Sequence, residues 1–103
     1  MYRILVPASK RGQKFSFEHH KIFDNKVKSI AGGLTIHKGS KGEWLNPVDG
    51  KLHTDRMIPV DIVVSSQEEI EEIAKFALTH YDQLAILYFK ISDEVVFLSK
   101  QPT

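Results

Sequence analysis

The chain contains no cysteine, which excludes disulfides, thiolate metal sites, iron–sulfur clusters and cysteine nucleophiles at the outset. No run approaches the roughly 18 uninterrupted apolar residues of a membrane-spanning helix. The apolar start from Met1 to Pro7 is interrupted by Arg3 and has no hydrophobic stretch behind it, the wrong shape for a signal peptide. The GxGxxG and GxxxxGK[ST] phosphate loops, the HExxH metal pair and the GxSxG nucleophile elbow are all missing. Five histidines are present, but His19 and His20 are adjacent on a helical segment and diverge by about 100°, and no pair has chelating spacing, so no metal or cofactor is expected.

What is there is ordinary for a globular domain. The 103 residues are 42% hydrophobic and 26% charged, and a chain of this length buries roughly 65% of its unfolded surface. A single domain over 1–103, cytoplasmic and without a membrane segment, is the expectation. The net charge of +1 hides a division: through residue 60 there are eleven Lys and Arg against five Asp and Glu, and from Asp61 onward three against eight. Such asymmetry suits a bipolar surface that meets its own copy, a basic face for an anionic ligand, or plain solvated charge.

Apolar periodicity orders the elements. Tyr2 to Ala8 alternates as a strand and runs into the polar loop Ser9 to Lys14. Ser16 is an N-cap for a helix whose stripe is His20, Phe23, Val27, Ile30 and Ala31, with Gly32-Gly33 as a left-handed C-terminal cap. Leu34 to His37 alternates again, Gly39 to Gly42 reads as a turn before Glu43-Trp44-Leu45, and Asn46 to Gly50 as a second turn, together a β-hairpin insert. Met57 to Ser65 is the richest strand signal, with Ile58, Val60, Ile62 and Val64 on one face and Pro59 restricting it to an edge or bulge. Ser66 to Glu69 matches a capping box ahead of the stripe Ile70, Ile73, Ala74, Ala77, Leu78 and Tyr81. Leu84 to Ile91 and Glu94 to Ser99 are alternating apolar runs.

That order predicts an α+β fold, a ferredoxin-like βαββαβ sandwich: an antiparallel sheet with two helices on one face and a β-hairpin insert between strands 2 and 3. Two helices cover one face only, so the apolar residues of the other face point to homo-oligomerisation or to cover by Trp44 and the insert.

Gly33-Leu34-Thr35, Gly39, Gly42-Glu43-Trp44, Asp49-Gly50 and the pair Tyr81 and Gln83 resemble a family of small bacterial proteins known only as a domain of unknown function. The resemblance covers about Ile4 to Leu98 and implies no activity. The Lys- and Arg-rich first loop and Asp55-Arg56 depart from that family's pattern.

Candidate site residues fall in two groups. Lys10, Arg11, Gly12 and Lys14 lie between a strand and a helix N-terminus, where free amides favour an anion and Gly12 lets the backbone approach; Arg56 adds to them. His37, Glu43 and Trp44 form a second group, an aromatic platform with a carboxylate and an imidazole, with Trp44 alternatively a core plug. Tyr81 reads as a structural ring whose hydroxyl caps a carbonyl. The strands lack the aromatic pair on which RNA-reading ferredoxin-like domains stack bases, so nucleic acid is not expected.

The function these features support is a non-enzymatic, homo-oligomeric binding module for a small anionic, nucleotide-like ligand held by basic loops. The alternatives are an enzyme of the dimeric α+β barrel type using His37, Glu43 and Trp44, and a structural or partner-binding subunit.

Overall fold

The computed structural model describes residues 1–45 and 47–100, the side chains of Trp44, His53 and Asp55 excepted. Its elements are β1 (Tyr2–Pro7), β2 (Ser9–Lys10), β3 (Gln13–Lys14), α1 (Phe17–Ile30), β4 (Gly33–Ile36), β5 (Ser40–Leu45), β6 (Leu52–Val63), α2 (Gln67–His80) and β7 (Leu87–Lys90). The main sheet runs β4-β6-β1-β7, with β5 also paired to β6, and every ladder in it is antiparallel. This is the ferredoxin-like sandwich, with β5 and the first half of β6 as the hairpin insert. Among the described residues no helix is long and apolar enough to cross a membrane.

Alternation places Ile4 and Val6 of β1 and Val60 and Ile62 of β6 on one face of the sheet, where they are directly opposite one another or nearly so in register. Phe23 and Val27 of α1 and Ile70, Ile73, Ala74 and Ala77 of α2 come down on them, and together they form one buried cluster. Each Val, Ile and Phe side chain among them contributes about 1.5–3 kcal/mol of apolar burial. The helical stripes therefore lie where the 3.6-residue period puts them, apart from Leu78, which is only half-buried while Phe76 packs against the cluster.

Helix ends depart from expectation more than helix interiors. Ser16 caps α1 as read, its Oγ accepting from the His19 amide at 3.1 Å. The C-terminal glycines do not take the left-handed form. Ala31 ends the helix in extended geometry, and the Gly32 amide donates at once to the Val63 carbonyl, so the chain passes directly into β4. At α2 the Ser66 side chain makes no cap bond. Glu69 reaches one residue further back than a capping box would, accepting from the Ser65 amide at 2.7 Å.

The strands also differ. Ser9 to Lys14 is not a plain loop but a small hairpin, β2 and β3, whose turn residues Arg11 and Gly12 both have positive φ (51° and 79°), the combination that matches strand twist. Gly39 to Gly42 is no turn, because Ser40, Lys41 and Gly42 already belong to β5, paired with Met57, Arg56 and Asp55. The second turn is in place with Gly50 at φ 69°, although Asn46 lies outside the described residues. β6 starts five residues before Met57 because it carries the insert's second arm as well.

Two prolines set where ladders stop. Pro59 is interior to β6, not at an edge, and its carbonyl accepts from the His37 amide. A residue's N–H and C=O point to the same side of a strand, so the missing N–H faces the break where β4 has ended and β5 has not begun. Pro59 then turns no bond toward Leu5 opposite it, so Leu5, and two residues on Pro7, direct theirs toward β7. Leu5 pairs with Leu87, but Pro7 has no N–H for Ala85. The expected strand from Leu84 is therefore reduced to Leu87–Lys90. At its other end Ile91 and Ser92 donate to the Met1 carbonyl. Beyond Ser92 no described strand runs alongside, and Glu94 to Ser99 forms none.

Tyr81 is fully buried and caps no carbonyl with its hydroxyl, which bonds His20 Nδ1 at 2.8 Å. Burial, with Asp24 adding, pushes the hydroxyl well above its ordinary value, so it stays protonated and donates. Burial lowers His20 from its ordinary value; Asp24 opposes that shift, and nearby His19 and His80 reinforce it. A lowered histidine makes the native state resist protonation, so stability is greatest above about pH 6.5 and falls as the pH drops below it. Tyr81→Phe is expected to cost about 0.5–1.5 kcal/mol in urea unfolding with the fold retained. His20→Gln should flatten part of the decline in stability between pH 7.5 and pH 5.5; an unchanged decline would assign it to other groups.

Candidate functional site

The sheet face away from the helices carries the other half of each alternation. Leu5 and Pro7 stand on it from β1, Met57, Pro59 and Asp61 from β6, and Leu87 and Phe89 from β7, as the pairings require. Helices of 14 residues on one side leave this face to other means of cover.

Asp61 is 8% exposed, although no helix lies over it. A carboxylate in that position needs partners, and the register supplies the first. Arg3 is directly opposite it, and the guanidinium grips both oxygens, Nε to Oδ1 at 2.6 Å and Nη2 to Oδ2 at 3.0 Å. His37 is the second. Released from β4 and hooked by its amide to Pro59, it places Nε2 2.7 Å from Asp61 Oδ2. An ionised carboxylate only accepts, so Nε2 is the protonated nitrogen, and Nδ1 is bonded to no described residue. The Arg3 guanidinium holds the Asp61 carboxyl below the usual carboxylate range; burial opposes it, and His37 adds to the lowering. An imidazole oriented by a fixed carboxylate in this way is a competent proton acceptor.

Beside this network lies a cavity of about 280 Å³. Leu5, Pro7, Met57 and Leu87 form its floor, Ala85 and Ile86 one wall, and Gly42, Glu43 and Pro47 of the insert the other, with Gln83 at the α2 end. The same proline effect that stops the β7 ladder leaves Ala85 and Ile86 free to line it. The insert therefore bends over one end of its own sheet. The polar residues lining this otherwise apolar space are Glu43, whose carboxylate is 3.8 Å from the Lys41 ammonium, and Gln83, whose Nε2 donates to the Tyr81 carbonyl.

The first sequence group is gathered in part. Lys10, Arg11, Gly12 and Lys14 share the β2–β3 hairpin, which starts two residues past cavity-lining Pro7. Arg56 adjoins them, since its carbonyl accepts from the Ala8 amide. Lys10 is committed elsewhere: its ammonium donates to the Asp82 carbonyl at 2.8 Å and also to the Asp82 carboxylate, whose pKa it lowers. Arg11, Gly12, Lys14 and Arg56 are exposed. Of the second group, His37 joins Asp61 and Glu43 joins the cavity, while the Trp44 side chain lies outside the described residues, as does that of His53. Among the described residues no group of three or more His, Asp or Glu side chains is arranged to hold a metal ion.

Sequence reasoning missed Arg3 and Asp61 as a pair, and Leu5, Met57, Gln83 and Ile86 as cavity lining. One signal was available. Asp61 interrupts the most apolar strand of the chain, and a carboxylate there implies a cationic partner on a neighbouring strand.

No protein-family model matches the chain, and no curated protein matches it in sequence. Solved structures do resemble it. The divalent cation tolerance protein Cut A1 from Thermus thermophilus superposes with a TM-score of 0.60 at 13% identity, covering 91% of this chain and 84% of that one. The periplasmic divalent cation tolerance protein CutA from Archaeoglobus fulgidus gives 0.58 at 16%, with the same coverage of 91% and 84%. A phage SAM lyase in complex with S-methyl-5′-thioadenosine gives 0.59 at 15%, covering 84% of this chain and 75% of that one. At these identities the likeness is one of fold.

Asp61→Asn keeps the shape and removes the charge. It is expected to lower stability by about 1–3 kcal/mol at pH 7, measured by denaturant titration. Because the native carboxyl titrates below its unfolded value, its contribution is complete above about pH 3.9 and is lost as the pH falls below that. The two proteins should therefore converge in stability in acid; a constant difference from pH 7 to pH 2 would contradict the ion-pair account.

Proposed function

We propose that the protein is a small homo-oligomeric binding module that takes a nucleotide-like ligand, its flat ring in the open-face cavity and its anionic end toward the β2–β3 hairpin. The cavity carries this reading: an apolar floor and walls with two polar groups, Glu43 and Gln83, is the usual composition of a small-molecule site, and its volume is near the lower end of the roughly 300–1,000 Å³ range. A carboxylate and an amide suit ring amino groups and sugar hydroxyls. They do not suit a phosphate, which is repelled by Glu43 and attracted by Arg11 and Lys14 of the β2–β3 hairpin, whose first strand starts two residues past Pro7. The nucleoside thioether bound in the similarly folded phage SAM lyase supports the choice of ligand class.

A second reading is favoured by one observation, the His37–Asp61 hydrogen bond. With Nε2–H directed at Asp61, Nδ1 is the nitrogen that takes a proton from a ligand, and the reading becomes that of an enzyme with His37 as general base.

Thermal shift separates these elements. S-methyl-5′-thioadenosine and AMP should both raise the melting temperature, because a ligand at 100 times its Kd stabilises by about 2.7 kcal/mol, and AMP should bind more tightly at low salt. Glu43→Ala is expected to weaken both probes about fivefold, close to 1 kcal/mol. Arg11→Ala with Lys14→Ala should remove only the advantage of AMP. Silence for both probes and for a wider nucleotide panel would reject the reading. For the enzyme, mass spectrometry of the incubated panel should show a product that disappears in His37→Ala; recovery of every compound unchanged leaves binding as the function.

A further inference from the structure

α2 ends in a Schellman turn, in which the Asp82 amide donates to the Thr79 carbonyl at 3.2 Å and the Gln83 amide to the Leu78 carbonyl at 2.9 Å. Asp82 takes the left-handed position of that turn, with φ 50°, where glycine is usual and asparagine next. It also puts a carboxylate at the negative end of the helix dipole, where cations are favoured. Local physics thus argues twice against aspartate here. Packing does not select it either, since the side chain is 86% exposed. What the carboxylate does is meet Lys10, whose ammonium donates both to it and, at 2.8 Å, to the Asp82 carbonyl. Gln83 Nε2 lies 3.4 Å from that same carbonyl, so Lys10 shares an acceptor with a residue that lines the cavity. Lys10 holds the Asp82 carboxyl below its usual range, and nearby Arg11 adds to the effect against a small opposing contribution of burial. Cations of the β2–β3 hairpin therefore converge on a carboxylate at the Gln83 end of the cavity.

We propose that the Asp82 carboxylate is an internal counter-anion, which holds Lys10 in the unliganded protein and yields it to the phosphate of an entering nucleotide. The inference rests on the nucleotide-binding reading above and names the contact that sets which ligand charge the site accepts. The exchange costs little, because exposed ion pairs contribute little to stability. It also leaves Lys10 in place: an ammonium has donors enough to keep the Asp82 carbonyl while the carboxylate leaves. A phosphate monoester carries a charge of about −1.5 to −2 near neutral pH and more acceptor oxygens than the group it displaces. A ligand with a single negative charge gains no such advantage, since Asp82 is tethered beside Lys10 and competes at high effective concentration. A neutral ligand does not engage the contact at all. Asp82 thereby favours a dianionic phosphate over a carboxylate or an uncharged group, which accounts for an aspartate where the helix end favours glycine.

The test titrates AMP and the uncharged S-methyl-5′-thioadenosine by calorimetry into the unmodified protein, Asp82→Asn, Lys10→Ala and Lys10→Ala/Asp82→Asn. Asparagine keeps the shape and tolerates the left-handed backbone. Asp82→Asn should tighten AMP about threefold to fivefold, the span of an exposed ion pair, and leave the thioether unchanged. In the Lys10→Ala background the same substitution should give no gain, because the counter-anion then has nothing to release. A gain that persists without Lys10 would assign the effect to general repulsion by Asp82 and overturn the proposal. So would an AMP affinity that Asp82→Asn leaves unaltered while both probes bind, with the binding reading still standing. Melting of the unliganded proteins gives a readout independent of any nucleotide: Asp82→Asn should melt within about 4 °C of the unmodified protein or above it. A larger fall would make the ion pair a structural tie and overturn its role as a counter-anion. Failure of both probes to bind any of the four proteins would reject the proposal together with the reading beneath it.

Discussion

Two helices of 14 residues, packed side by side at about 10 Å, span about 20 Å, close to the width of four strands at 4.8 Å spacing. They cover one face of this sheet and cannot cover two. The covered face is simple, with branched aliphatic residues from β1 and β6 meeting Phe23, Ile70 and Ile73 in one cluster. The uncovered face has to be resolved otherwise, and three devices share it. A carboxylate is enclosed by an arginine and a histidine, a hairpin is bent over one end, and a cavity remains between them.

Both halves of that arrangement trace to a proline. Pro59 directs its missing donor into the gap between β4 and β5, which is where His37 leaves the sheet and turns onto Asp61. Pro7 has no donor for Ala85, so the β7 ladder stops at Leu87, and Ala85 and Ile86 become wall residues. Residues usually read as strand breakers here determine where a polar network and an apolar cavity can form on an otherwise regular sheet. The helix layer shows a parallel economy: the ends of α1 and α2 are joined by reciprocal bonds, His19 Nε2 to the His80 carbonyl and His80 Nε2 to the His19 carbonyl, with the two rings stacked at 3.8 Å. That contact helps hold the covered face closed.

Much of the fold was legible in the amino-acid order because its signals are local. The α2 stripe, the Ser16 cap, the alternation of Ile58, Val60 and Ile62 and the turn at Gly50 each depend on residues within one or two turns of one another. The failures also have a common cause. Gly32 was read as a helix cap, but its amide belongs to Val63, which is distant in sequence. Glu94 to Ser99 alternates like a strand, yet pairing depends on what lies alongside. The candidate site was legible only in fragments: His37, Glu43 and the basic hairpin were singled out, whereas Arg3, Asp61 and Gln83 were not, because their roles arise from cross-strand register.

The amino-acid order by itself determined the two-helix, one-face sandwich, since helical and strand periodicities select which side chains leave water and the sum of two helices sets how much can be covered. It also determined which chemistries are barred, by the residue types it omits. Tertiary structure alone decided that Arg3 stands opposite Asp61, that His37 completes the pair, and that the insert and the start of β7 enclose one space. Those outcomes depend on register between segments tens of residues apart, and a shift of one residue would turn every one of these side chains to the other face.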